Sequence, residues 1–188
     1  MEHIYLAAES SVPKPLIATL AIVPSAQNYF DQLRKEHFPP KINYIDAHLT
    51  LFHALPDKSW IIEDLHKLST EQQQFDAVAQ SIMSLGNGTA FKIISPELPL
   101  LYQKLQKSWF DHLSNQDRQK RNFHITIQNK VESETAKKLQ ADLAKRFCPF
   151  SFTILGIQLW RYHYGPWEYL TTFDFNNIPA IGTSVNKC

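Results

Sequence analysis

The sequence predicts an α+β fold built from one unit used twice. Three observations predict it. Apolar runs of strand length alternate with amphipathic runs of helix length along most of the chain. The order helix, strand, helix, strand, turn, strand occurs over about residues 25–95 and again over about 97–175, as a duplicated unit would give. The two copies carry the same short pattern, "AHLTL" at 47–51 and "FHITI" at 123–127, offset by 76 residues.

Each element follows from local signals. "PLIATLAIV" reads as a strand closed by Pro24, and "SAQNYFDQLRKEHF" as a helix with Ser25 as N-cap and the pair Pro39–Pro40 as its stop. "NYIDAHLTLFHAL" is a strand and "DKSWIIEDLHKLSTEQQ" a helix. "FDAVAQSIMSL" and "TAFKIIS" flank Gly86-Asn87-Gly88, the strongest hairpin signal in the chain. "PELPLLYQKLQKSWFDHLS" is a helix with Pro and Glu in its first turn. "NFHITIQNKV" is a strand, and "SETAKKLQADLAKRF" a helix capped by Ser133. "PFSFTILGIQLWRYHY" and "PWEYLTTFDF" are strands around Gly165, and residues 176–188 read as a tail. No linker interrupts this order, so residues 1–188 read as one domain.

Composition narrows the function classes. With 44% apolar residues among 188, the chain can build a core and is not disordered. A net charge of +1 argues against a protein that lives on long nucleic acid through bulk electrostatics, but leaves room for a nucleotide or an RNA end. The longest apolar run, "LIATLAIV", is too short to span a bilayer. The start, "MEHIYLAAES", lacks the basic and apolar regions of a signal peptide. Cys148 and Cys188 form no disulfide framework and read as reduced thiols. The expectation is a cytoplasmic monomer away from the membrane.

Strand side chains alternate faces, so His48 and Thr50 share one face opposite Leu49 and Leu51. His124 and Thr126 likewise share a face opposite Phe123, Ile125 and Ile127. A single His-x-Thr means little, because each residue is at home on a half-exposed strand. Two copies at equivalent places of a repeat are a different matter. By the same counting, His53 points away from His48 and reads as a structural histidine. His3, His37, His66, His112 and His163 have no such pairing and default to surface or structural roles.

Two histidines facing one volume can act as a general base and a general acid on either side of a phosphorus. Two threonine hydroxyls can donate to its non-bridging oxygens, where charge builds. That chemistry calls for no metal and no cofactor. Asp46, on the strand parity of His48, is the one carboxylate that keeps a metal reading open. Arg161 is a candidate phosphate partner or a surface arginine; Tyr164 and Trp167 are candidates for stacking on a base or for core packing. The cluster "RQKR" at 118–121 steers a phosphate backbone or is a solvated basic turn.

The paired motifs on a duplicated α+β unit resemble the two-histidine phosphoesterase superfamily, which includes 2′-5′ RNA ligases and cyclic nucleotide phosphodiesterases. "AHLTLFHALP" and "LWRYHYGPWEYL" are similar to its bacterial 2′-5′ RNA ligase-like branch. The resemblance implies a bilobal fold, with two antiparallel sheets facing across a central cleft and helices outside. It implies that His48 and His124 are the catalytic pair and that Thr50 and Thr126 hold the phosphate. It also implies a substrate: the 2′,3′-cyclic phosphate of a nucleotide or RNA end, opened to a 2′-phosphate. The alternatives are 2′-5′ ligation or RNA-end processing by the same residues, or a nucleotide-binding module without turnover.

Overall fold

Four α-helices and seven strands alternate along residues 14–177, the part of the chain that the computed structural model describes. His3, Cys188 and the expected tail beyond 177 lie outside the described residues. The elements are β1 (Leu16–Ile22), α1 (Pro24–His37), β2 (Leu49–Leu55), α2 (Ser59–Glu71), β3 (Phe75–Ser84) and β4 (Thr89–Ile94). There follow α3 (Glu97–Trp109), β5 (His124–Gln128), α4 (Ser133–Ala144), β6 (Phe150–Tyr162) and β7 (Trp167–Asp174). Two helix starts differ from expectation. The N-cap of α1 is Val23, with Pro24 in the first turn and Ser25 already inside the helix. Proline suits that place because its fixed φ fits the helix and its missing N–H is not needed there. The N-cap of α4 is Glu132, with Ser133 the first helical residue. Among the described residues, no helix is long and apolar enough to cross a membrane.

The strands do not form two separate sheets. Their order is β1-β2-β5-β4-β3-β6-β7, and β1 also pairs with β6, so six strands close on themselves through antiparallel ladders. The 13-residue β6 makes closure possible: Phe150 to Ile154 pair with β3, while the later residues pair with β1 and with β7. The junction of β2 with β5 is narrow, a single register pair, Leu49 with Ile125.

The pairing also repeats in a different phase from the sequence reading. β1 stands between β2 and β6 as β4 stands between β5 and β3. The equivalent units are therefore β1-α1-β2-α2-β3 and β4-α3-β5-α4-β6, with β7 outside them. The Gly86–Gly88 turn makes the β3–β4 hairpin as expected, but that hairpin joins the units rather than ending one. Gly86 has φ +76°, and a Cβ on Gly88 would collide with the Gln128 carbonyl, so both positions require glycine.

Packing exchanges helices between the units. Phe30 of α1 is fully buried against Phe91 of β4 and against Phe150 and Phe152 of β6. Helix α1 also packs on β5, and α4 on β3 and β4. Phe52 of β2 stacks on Tyr102 of α3 and lies against Trp109 at its end, while α2 packs on β6 and β7. A helix of the first unit thus lies behind the motif strand of the second.

Candidate active site

Residues 43–48, expected as strand, form an irregular lead-in with a bend at Ile45, and β2 begins at Leu49. One face of α1 holds this lead-in. Gln27, Asp31 and Arg34 are spaced i, i+4 and i+7, so their side chains line up. Gln27 donates to the Ala47 carbonyl (2.7 Å) and to Asp31 (2.9 Å), and Asp31 accepts from the Ala47 amide (2.8 Å). Arg34 Nε donates to the Asn43 side-chain oxygen (2.9 Å) and to the Ile45 carbonyl (3.0 Å). Ala47 is pinned through both its backbone groups, immediately before His48. The contact from α3 is farther from the second motif. The hydroxyl of Tyr102 and the amide of Gln106, one turn apart, donate to the Asp117 carbonyl (2.5 and 2.9 Å) at the head of the loop leading to His124.

The β2–β5 register brings the motifs together. Antiparallel pairing of Leu49 with Ile125 sets His48 across from Thr126 and Thr50 across from His124, all four on the face opposite those two buried side chains. The neighbouring ladders extend this row: Thr19 pairs with Thr50, and Lys92 with His124. Both imidazoles are anchored identically. His48 Nδ1 lies 2.8 Å from the Asp46 carbonyl, and His124 Nδ1 lies 2.8 Å from the Asn122 carbonyl. A carbonyl can only accept, so Nδ1 carries the proton and Nε2 is the nitrogen left to exchange one. Asp46 thus meets His48 through its backbone.

Burial is the first cause that moves both histidines below their ordinary range. It holds His48 to about 4, opposed by the Asp46 carbonyl and helped by Arg34, His53 and His124. His124 is lowered by burial, opposed by the Asn122 carbonyl and helped by Arg121 and His53.

His53 is a correction to the sequence reading. Thr19 pairs with Thr50 but Ala18 with Phe52, so β2 carries a bulge at Leu51. Leu51 and Phe52 are consecutive and both fully buried, and the alternation resumes one residue late. His53 therefore falls on the side of Thr50, the face of both motif histidines. Its Nδ1 lies 2.8 Å from Arg121 Nη1 and 3.5 Å from the fully buried Asp117 carboxylate. Asp117 also accepts from the amides of His53 (3.0 Å) and Ala54 (3.0 Å) and from the Ser114 hydroxyl (3.0 Å). Arg121 is thus a mostly buried member of this cluster, its side chain 9% exposed, whereas Arg118 and Lys120 of the same "RQKR" run are exposed.

The other expected contacts divide. Trp167 is at the site, its ring 4.8 Å from that of His48. Arg161 is not: strand alternation sets it opposite Trp160, whose indole donates to Thr19 (2.9 Å), and its guanidinium is paired with Asp57 (3.0 Å) and Glu168 (3.1 Å). Tyr164 sits on the β6–β7 turn at φ +58°, 55% exposed, with its ring near Tyr162. Sequence reasoning missed Arg34, Asp117, Thr19 and Trp160, whose roles appear only when distant segments meet.

A cavity of about 550 Å³ opens beside His48, lined by Tyr44, Asp46, Gln158, Trp160 and Trp167. A second, of about 840 Å³, lies at the equivalent place of the other unit, lined by Lys92, Lys120, Arg121, Asn122 and Tyr102. The chemistry available between them is proton exchange at two Nε2 atoms, with hydroxyl donors alongside.

Comparison with known proteins agrees with this architecture. The fold is similar to the crystal structure of TT0787 of Thermus thermophilus (TM-score 0.59, 15% identity, covering 86% of this chain and 97% of that one). It is also similar to E. coli LigT complexed with 3′-AMP (0.56, 15%, 87% and 99%) and with NADP+ (0.53, 16%, 87% and 99%). No curated protein matches the chain in sequence. Residues 22–166, which contain both His-x-Thr segments, match the 2′-5′ RNA ligase superfamily. That match covers well over half of the chain, and the chain belongs to the 2′-5′ RNA ligase superfamily.

Proposed function

We propose that the chain is a metal-independent phosphoesterase that opens 2′,3′-cyclic phosphates of nucleotides or RNA ends to 2′-phosphates. The observation that carries this is the matched anchoring of His48 and His124, each fixed through Nδ1 to the carbonyl two residues before it. Both Nε2 atoms are left to exchange protons on a face shared with Thr50 and Thr126. In this reading the two helix-backed parts of the sheet act as lobes, and the polar face between them receives the substrate. One neutral imidazole takes a proton from water as its oxygen attacks phosphorus. The bond from phosphorus to the 3′ oxygen breaks, and the other, protonated imidazole gives that oxygen its proton. The threonine hydroxyls donate to the non-bridging oxygens as charge builds. Trp167 and Trp160 offer a surface against which a base can stack. One chain carries both motifs, so a monomer suffices.

The nucleotides named in the LigT structures support a nucleotide-sized ligand for this fold. The family's name favours one second reading, 2′-5′ ligation of RNA ends by the same four residues, in which a 5′-hydroxyl takes the place of water as the attacking group, the phosphorus to 3′-oxygen bond breaks and the 3′-oxygen takes the proton.

A panel of 2′,3′-cyclic mononucleotides and RNA ends, assayed with excess chelator and read by phosphorus NMR, tests the proposal. Turnover to 2′-phosphate is expected, falling by about 10²–10⁴ in each of His48→Ala and His124→Ala. Full activity in either variant, or activity abolished by the chelator, overturns it. Joining of cleaved RNA halves without hydrolysis favours the ligase reading.

A further inference from the structure

Two arginines that no sequence pattern marks reach across the junction of the motif strands. Arg34, on α1, is 5% exposed, with the Phe38 ring 3.9 Å from its guanidinium carbon. Besides its bonds to Asn43 and Ile45, its Nη1 donates to the Thr126 carbonyl (2.8 Å). Arg121 lies in the loop before β5, its side chain 9% exposed. Its Nη1 and Nη2 lie 2.8 and 3.0 Å from the ring nitrogens of His53, and Nη2 donates to the Thr50 carbonyl (3.4 Å).

The two arginines come from different kinds of element, a helix and a loop, yet each does the same thing. Arg34 holds the Ile45 carbonyl, three residues before His48, and ends on the backbone of Thr126. Arg121 is itself three residues before His124 and ends on the backbone of Thr50. Both acceptors lie one residue past the single register pair of β2 and β5. The ladder there is one pair long, so donors from elsewhere must hold the two strands at a fixed separation. Guanidinium suits the task, because it presents several donors in a rigid plane and keeps its charge when buried. Arg34 is pushed down by burial to about 10, against Asp31 and Asp46, and so stays charged at neutral pH.

We propose that Arg34 and Arg121 are positioning residues for the histidine pair. Each fixes the spacing of the motif strands through the opposite threonine carbonyl and sets a permanent positive charge beside one imidazole, Arg34 beside His48 and Arg121 beside His124. The charged and titratable groups that face each histidine are few. His48 is faced by Arg34, His53 and His124. His124 is faced by Arg121 and His53, with Lys92 its register neighbour. Asp31 and Asp46 face Arg34, and Asp117 and Tyr102 face Arg121.

The test is a histidine-ring NMR titration of the full chain, which needs no turnover and so stands apart from the phosphoesterase reading. Arg34→Met is expected to raise the His48 midpoint by about half to one pH unit, and Arg121→Met to do the same for His124. Arg34→Lys and Arg121→Lys keep the charge and leave the midpoints in place, but lose the forked donors. On a 2′,3′-cyclic nucleotide their kcat is expected to drop about tenfold with KM within about threefold, an arm that rests on the proposed activity. Where a Met variant does not fold, the Gln variant carries the same expectation. Midpoints that stay within about 0.2 unit in every folded neutral variant overturn the proposal. So does a Lys variant with wild-type kcat. If the protein turns over no cyclic nucleotide, the titration alone decides.

Discussion

Asp117→Ala is expected to cost more stability than its place in a surface loop suggests. The carboxylate is fully buried and accepts from the His53 and Ala54 amides, each at 3.0 Å, and from Ser114 at 3.0 Å. It also faces the buried Arg121 guanidinium at 3.6 Å. Truncation leaves two backbone donors unpaired, at roughly 1–3 kcal/mol each. It also leaves a buried cation without its counter-charge, a loss of about 3–5 kcal/mol where nothing else compensates. Arg121 keeps His53 and the Thr50 carbonyl, so the low ends of these ranges apply. The expected loss is about 5 kcal/mol, a large part of the ~5–15 kcal/mol typical of a domain. Urea unfolding at pH 7 measures it directly, and a fall in Tm of about 10 °C should accompany it. The pH dependence has a defined sign. Burial pushes the Asp117 carboxyl up, but the His53 ring and the two amides outweigh it and hold the group below its usual range. Its contribution is therefore complete above roughly pH 4 and is lost as pH falls through the lower folded value. Asp117→Asn should flatten that acid limb. A loss below about 1 kcal/mol in the Ala variant would refute the claim that this carboxylate holds the bulge in β2 together.

Three further outcomes are expected. Both motif histidines lie below their ordinary range, so whichever is the base, kcat/KM toward a cyclic nucleotide should peak below about pH 6.5; a maximum above pH 7.5 contradicts the two-imidazole reaction. Trp167→Ala readmits water to His48 and should raise its NMR titration midpoint from about 4 toward the ordinary value, while KM rises about tenfold through lost stacking. An unmoved midpoint sinks the burial argument. Asp31→Ala frees the Ala47 amide and should lower kcat about tenfold through a looser His48 lead-in; a variant with unchanged kcat shows that the clamp does not matter.

The features legible in the sequence are those that depend on a few consecutive residues. His48 with Thr50, and His124 with Thr126, fall on one face because alternation over three residues leaves no room for error. Alternation from His48 to His53 must cross five residues, and the bulge at Leu51 lies inside them. The adjacent apolar pair Leu51–Phe52 is compatible with either phase, so the face of His53 was misread. Arg34 was hidden differently. With Gln27 and Asp31 it makes a polar stripe on α1, and such a stripe ordinarily faces solvent. Here it faces the backbone of both motif segments, because α1 of one unit packs on β5 of the other. The phase of the repeat was missed for a related reason. β1 precedes the first recognised copy, and only its pairing with both β2 and β6 shows that it is the counterpart of β4.

The backbone anchors and threonine neighbours of the two histidines are symmetric, and their wider surroundings are not. Each imidazole has the same neighbour two positions on, a threonine, and the same anchor two positions back, a carbonyl. The two histidines differ in the residues around those shared anchors, some of them remote in sequence. On the His48 side these are Trp160 and Trp167 from the last two strands, with Asp46, around the smaller cavity. On the His124 side they are Lys92 from β4, with Lys120 and Arg121 from the loop, around the larger one. An aromatic wall suits a base and a cationic one suits phosphate. Strand β7 lies outside both units and outside the closed ring, and with β6 it supplies the aromatic wall. A strand outside the internal repeat, β7, thus helps give a symmetric pair of histidines two different sides.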